Sequence, residues 1–139
     1  MNLAAAIPPA IPRAALVTGG ARRIGRALAL ALAEAGFAVA IHHRASAQDA
    51  EELAREIAAR GGRAVSLAAD LAREAEVAAL AERAASALGP LGVLVNNASV
   101  FERDEWHDAT RQSWERHLGP NLRAPFVLIQ AFARALPPA

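Results

Sequence analysis

Four short apolar runs alternate with helix-length segments along most of this chain, and that alternation constrains its fold more than any other feature. Residues 14–17, 37–41, 64–67 and 93–95 are each of strand length. Between them lie residues 24–35, with Leu28 and Leu32 four apart, a segment running to Arg60 with Leu53 and Ile57 four apart, and residues 74–88. Apolar side chains at that spacing share one face of a helix. Ser46, with Asp49 three residues later, resembles a capping box opening the second of these helices. Gly36, Gly61-Gly62 and Gly89-Pro90 supply the stops. A polar loop follows the fourth run, and a last helical stretch is expected from about Thr110 to Leu136.

Strands alternating with helices of this length imply βαβ units and a parallel sheet covered on both faces. Right-handed crossovers then wind the sheet in both directions from its first strand. The expected class is α/β, a Rossmann-like doubly wound sheet whose ligand site lies at the carboxyl ends of the strands. Residues 1–12 read as a proline-rich leader and residues 13–139 as one domain.

The turn joining the first strand to the first helix is Thr18-Gly19-Gly20-Ala21-Arg22-Arg23-Ile24-Gly25. A dinucleotide turn needs glycine where the chain bends and where backbone approaches a pyrophosphate, and a small residue where helix meets strand. The helix then offers free N–H groups and a partial positive charge to phosphate. Any tight strand-to-helix turn favours glycine, so placement after the first strand is what gives the motif weight. An NAD site usually carries an acidic residue about 20 residues further on. Here the second run continues His42-His43-Arg44-Ala45-Ser46, with no carboxylate before Asp49. Arg44, Arg23 and His43 could instead meet a 2′-phosphate, which arginine binds through bidentate charge-assisted bonds. That favours NADP(H); the alternative is that Arg44 is a solvated loop residue.

A formal charge of +1 provides no field to attract nucleic acid or a membrane surface. Cysteine is absent, which excludes disulfides and thiolate metal sites. The leader has no basic residue before its apolar stretch and prolines interrupt it, so a cytoplasmic setting is expected. The chain also contains neither lysine nor tyrosine.

These residues resemble the short-chain dehydrogenase/reductase family, and within it the pteridine-reductase-like branch, over about residues 13–136. The resemblance implies a strand order of 3-2-1-4. Residues 18–25 are similar to the family's Thr-Gly-x-x-x-Gly-x-Gly motif, with Arg23 in place of the middle glycine, and imply cofactor contacts from Gly19, Arg22, Arg23, Ile24 and Gly25. Asp70-Leu71 resembles the family's pair at the adenine. Asn96-Asn97-Ala98 resembles its Asn-Asn-Ala motif, implying that Asn97, Ala98 and Ser99 line the cofactor. Phe101 falls where that branch stacks a pterin, although a packing role stays open, and Asn121 resembles the family's active-site asparagine in a kinked helix. Two departures bear on this: Ala45 replaces a polar residue beside the 2′-phosphate, and Pro120 disfavours helix at Gly119. Trp106 and Trp114 are expected to pack in the core or at an interface.

The family's proton transfer uses a tyrosine and a lysine one helical turn apart, the lysine charge favouring the phenolate. Without either residue the chain is expected to be an N-terminal cofactor-binding portion, ending before a fifth strand and inactive alone. The parent substrate would be a pterin or another small carbonyl or imine compound. The alternatives are a non-catalytic NADP(H)-binding module and a structural fragment that needs another chain. His107 and His117 have no evident partner, and the cluster of Glu102, Asp104, Glu105, His107 and Asp108 has no recognised ligand spacing, so no metal is expected. The open edge of the fourth strand and the last helix suggest a homo-oligomer.

Overall fold

A computed structural model of the chain describes residues 6–138. Residues 1–5 of the expected leader, and Ala139, lie outside the described residues. The elements follow the expected alternation: β1 Ala14–Val17, α1 Arg23–Glu34, β2 Ala38–His43, α2 Ala47–Ala59, β3 Ala64–Ala68, α3 Glu74–Leu88, β4 Leu91–Val95, α4 Arg111–Leu118 and α5 Ala124–Arg134. The strands form one parallel sheet in the order β3-β2-β1-β4.

The sheet separates two apolar layers because successive side chains of a strand point to opposite faces. From β1, Leu16 joins Leu80, Ala84 and Leu128 beneath α3 and α5. Ala15 and Val17 join Val39, Ile41, Leu53 and Ile57 beneath α1 and α2. Burying a side chain such as Leu53 or Ile57 stabilises the fold by about 1.5–3 kcal/mol. β1 is buried along its whole length, as expected of a strand covered on both faces. β4 pairs with β1 and is half-buried, an edge strand among the described residues.

The end of the leader packs on this frame. Ile7 joins the layer under α1 and α2, and Arg13 donates to the Ile7 carbonyl at 3.0 Å. The β1–β4 register skips Gly92, where an added Cβ would lie 2.0 Å from the Pro12 carbonyl oxygen.

Two local expectations are corrected. Ser46 precedes α2 but its side chain makes no capping bond, and Asp49 turns its carboxylate to the Arg22 guanidinium rather than back to Ser46. The last helix is also not continuous. It breaks into α4, a π turn over Gly119–Arg123, and α5. Pro120 has no N–H to give, and the backbone answers by widening one turn, with the Ala124 N–H reaching the Gly119 carbonyl. No helix among the described residues is long and apolar enough to cross a membrane.

Candidate cofactor site

Thr18 is the hub of the site. It ends β1 fully buried, and its hydroxyl accepts the N–H groups of Asn97 and Ala98, both at 3.0 Å. Its backbone N–H donates to the Val95 carbonyl at 3.0 Å. The β1 and β4 tips are thereby tied together at the point where strand order reverses, the crevice in which doubly wound sheets place ligands.

The glycine turn is packed too closely for side chains at its key positions. A Cβ on Gly25 would lie 2.1 Å from the Gly19 carbonyl oxygen, and one on Gly19, at φ +60°, would lie 3.0 Å from Ala98 Cα. Asn97 spends its side-chain amide on the turn, donating to the carbonyls of Thr18 at 3.0 Å and Gly19 at 3.2 Å. It therefore shapes the cradle from below. Arg23 has φ +51°. A bulky residue in that region is an outlier that calls for a functional account.

The turn is joined directly to the β2 tip. Gly20 donates its N–H to the His42 carbonyl at 3.0 Å, and Gly19 donates to His42 Nδ1 at 3.0 Å. His42 Nε2 meets the Ala69 carbonyl at 3.0 Å. The ring is buried, and burial pulls its pKa below the usual 6.5, with His43 and Arg83 acting in the same direction against the opposing hydrogen bond to Ala69. Beside it, His43 is also buried, and its Nδ1 has no hydrogen-bond partner among the described residues. An orphaned buried nitrogen calls for a ligand or water.

Arg23 and Arg44 are exposed and make no ion pair or hydrogen bond among the described residues. Arg22, by contrast, is held by Asp49, which joins the turn to α2 and occupies the carboxylate nearest the β2 tip in sequence. Ile24 stands exposed at the first turn of α1. Asp70 uses Oδ1 to accept the Ala72 N–H at 3.0 Å, and Leu71 packs into the core layer.

Beyond β4 the loop is pinned to α4 and the π turn. Asn121 accepts the Val100 N–H and donates to the Val100 carbonyl, each at 2.7 Å. The widened turn thus resolves the difficulty raised by Pro120, and both functions of the Asn121 amide are engaged by the Val100 backbone. His117 has the partners the sequence did not reveal: Nε2 accepts the Glu102 N–H at 2.9 Å while Nδ1 bonds the Ser113 carbonyl at 2.8 Å. Arg116 holds the Glu102 carboxylate at 2.8 Å. Between these anchors Ser99 is exposed and Phe101 stands 85% exposed, with its edge toward His117.

Trp106 and Trp114 are not core residues; they are 92% and 60% exposed, because the loop and α4 carry them away from both apolar layers. In the acidic cluster, Glu102 pairs with Arg116 and Asp108 accepts the Glu105 N–H, and no group of three potential metal ligands assembles among the described residues.

Residues 13–138 match the short chain dehydrogenase family. The chain belongs to that family. Among its relatives, the 3-oxoacyl-[acyl-carrier-protein] reductase FabG of Staphylococcus aureus strain Mu50 is 38% identical over 118 residues, which are 85% of this chain and 48% of the relative. FolM alternative dihydrofolate reductase 1 from Brucella canis, solved with NADP, superposes with a TM-score of 0.85 at 41% identity, covering 89% of this chain and 50% of that one. A short-chain dehydrogenase from Burkholderia cenocepacia, also solved with NADP, gives 0.85 at 42% identity, covering 90% and 51%. The chain spans about half the length of the relatives it matches. In this member of the family the residues that sequence reasoning missed are Thr18 and His42. A hydroxyl and an imidazole ending otherwise apolar buried strands were the available signal.

Proposed function

We propose that this chain binds NADP(H) and forms the dinucleotide-binding part of a short-chain reductase in the cytoplasm. The observation that carries the proposal is the pair of unpartnered guanidinium groups, Arg23 and Arg44, at the turn and the β2 tip. Most other arginines here are held by a carboxylate or a carbonyl. The one carboxylate that could mimic an NAD-type ribose partner, Asp49, is neutralised by Arg22.

In this reading Arg44, Arg23 and the orphaned His43 Nδ1 receive the 2′-phosphate. The turn from Gly19 to Gly25, with Arg22 and Ile24 at its rim, receives the pyrophosphate at the α1 N-terminus. Asp70 and Leu71 border the adenine, and Ala98 and Ser99 run beside the rest of the cofactor. In a complete enzyme the nicotinamide, when bound, would supply the hydride. Phe101 offers an aromatic face to a flat substrate, a pterin or another small carbonyl or imine compound. Asn121 serves the reaction by fixing the loop that carries Phe101. Both NADP-bound structural relatives support the cofactor, and the name of the Brucella protein supports the substrate class.

With no lysine or tyrosine in its sequence, the chain lacks the family's proton-transfer pair and by itself binds without turnover. Self-association through the β4 edge and the exposed Leu122, Phe126 and Ile129 belongs to the same proposal. The test is calorimetric titration of the purified chain with NADPH and NADH. Micromolar binding that prefers NADPH supports the reading; equal binding of the two overturns the cofactor choice, and no binding of either leaves a structural role.

A further inference from the structure

We propose that His42 is a positioning residue that holds the phosphate-binding turn only while its imidazole is neutral, so that dinucleotide binding is gated by pH. The inference rests on the cofactor reading above and adds a control to the same site.

The hydrogen bonds allow a single protonation state. The Gly19 N–H can only donate, so Nδ1 must present a lone pair to it at 3.0 Å. The Ala69 carbonyl can only accept, so Nε2 must carry the proton at 3.0 Å. The ring is therefore the neutral Nε2–H tautomer. A second proton would set an N–H on Nδ1 against the N–H of Gly19, and that contact cannot persist.

The position makes the loss consequential. His42 is the penultimate residue of β2, between β1 and β3, and its ring links the turn after β1 to the tip of β3. The turn it grips holds left-handed residues at Gly19 and Arg23. The Gly19 carbonyl is in turn packed against Gly25 at the start of α1, so a shift at Gly19 moves the N-terminus that would face phosphate.

The surroundings oppose charging on balance, with the hydrogen bond to Ala69 alone acting the other way. The ring is 2% exposed. His43 acts on it from its own strand, and Arg83 acts from α3, where it donates to the Ala68 carbonyl. No carboxylate compensates: Asp70 at the β3 tip accepts the Ala72 N–H, and Asp49 of α2 is paired with Arg22. Burial is the largest cause and outweighs the Ala69 hydrogen bond, with His43 and Arg83 adding to it, so the pKa is lowered from 6.5. A lowered value means that the unfolded chain takes up the proton first. The contribution of His42 is then complete above pH 6.5 and declines as pH falls from there through the folded-state value.

The test compares wild type with His42→Asn and His42→Leu. An asparagine amide oxygen can take the place of Nδ1 and does not titrate, whereas leucine removes both bonds. Without cofactor, long-range 1H–15N correlation should show a protonated Nε2 and a bare Nδ1 persisting below pH 6.5. The Gly19 amide should be protected from exchange in wild type and H42N and roughly tenfold less protected in H42L, the loss expected for one hydrogen bond. NADPH titrations from pH 8 to 5 follow. A ligand 2′-phosphate loses charge near pH 6 on its own, so the readout is wild type relative to H42N. Wild-type affinity should fall about tenfold further than that of H42N.

The proposal is overturned by a proton on Nδ1 at neutral pH, by a Gly19 amide equally protected in H42L, or by matching pH profiles in wild type and H42N. Should H42L fail to fold, the ring tautomer and the H42N profile still decide. If the ring and amide behave as stated and NADPH binds at no pH, the cofactor reading has failed and the gating of binding falls with it, while the hold of His42 on the turn stands.

Discussion

Replacing Arg23 by glycine should make the protein more stable and a poorer binder of NADP(H). Arg23 sits at φ +51°, where a side chain bearing a Cβ costs about 1–2 kcal/mol. Glycine removes that strain but makes the unfolded chain more flexible, a penalty of about 0.5–1 kcal/mol. The net gain is about 0.5–1 kcal/mol, or about 2–5 °C in Tm for a domain of this size. Against it stands the lost guanidinium. A hydrogen bond to a charged group contributes about 1.5–3 kcal/mol. Arg23 is exposed, so about 1–2 kcal/mol is the realistic figure, a five- to thirtyfold loss of NADPH affinity. Arg23→Ala separates the two effects, because alanine keeps the strain and drops the charge; it should lose affinity with no rise in Tm. Thermal melts followed by calorimetry on the three proteins provide the readouts. A lower Tm for R23G with unchanged affinity would refute the reasoning, since Arg23 would then be holding the turn rather than a ligand.

Three further outcomes follow from the same geometry. Thr18→Val keeps the buried shape but leaves the N–H groups of Asn97 and Ala98 unpaired, so urea unfolding should report a loss of about 2–4 kcal/mol. Gly25→Ala drives a methyl group to 2.1 Å from the Gly19 carbonyl oxygen; the turn must move, and NADPH affinity should fall at least about tenfold, measured by fluorescence titration. Asn121→Ala frees the peptide of Val100, so amide exchange at Val100 should accelerate by about tenfold or more while the melting of the sheet changes little.

The fold was largely legible because apolar periodicity and glycine stops are properties of local sequence. The four strands and the three helices between them lie within a few residues of where the pattern puts them. What stayed hidden depended on competition between distant partners. Asp49 had the spacing of a cap, but whether Arg22 would take it depended on a turn 27 residues away. The box that does form, Thr110 with Ser113, has serine where the usual pattern has glutamate or glutamine. In the site, charge and glycine placement were readable at Gly19, Gly25 and Arg44. The hydrogen-bonding hub was not, since Thr18 and His42 act through backbone groups of Asn97, Ala98, Gly19 and Ala69 that come near only once the sheet is assembled. The bond from the Glu102 N–H to His117 was hidden because that loop reaches α4 only in the folded chain.

The widened turn at Gly119–Arg123 also sets a rule for insertions and deletions. Each residue of an α-helix advances the chain by about 100° around the axis. The widened turn carries about one residue more than a regular turn, so deleting one residue from this stretch would let a regular helix run through with everything after it in nearly the same orientation. Val127 and Leu128 would stay on α3, but Asn121 would lose the bulge that carries its amide to Val100. The extra residue serves Asn121 rather than the packing of the last helix, and a homologous sequence with a one-residue gap at these positions should be expected to keep its last helix docked and to lose the tie to the loop after β4.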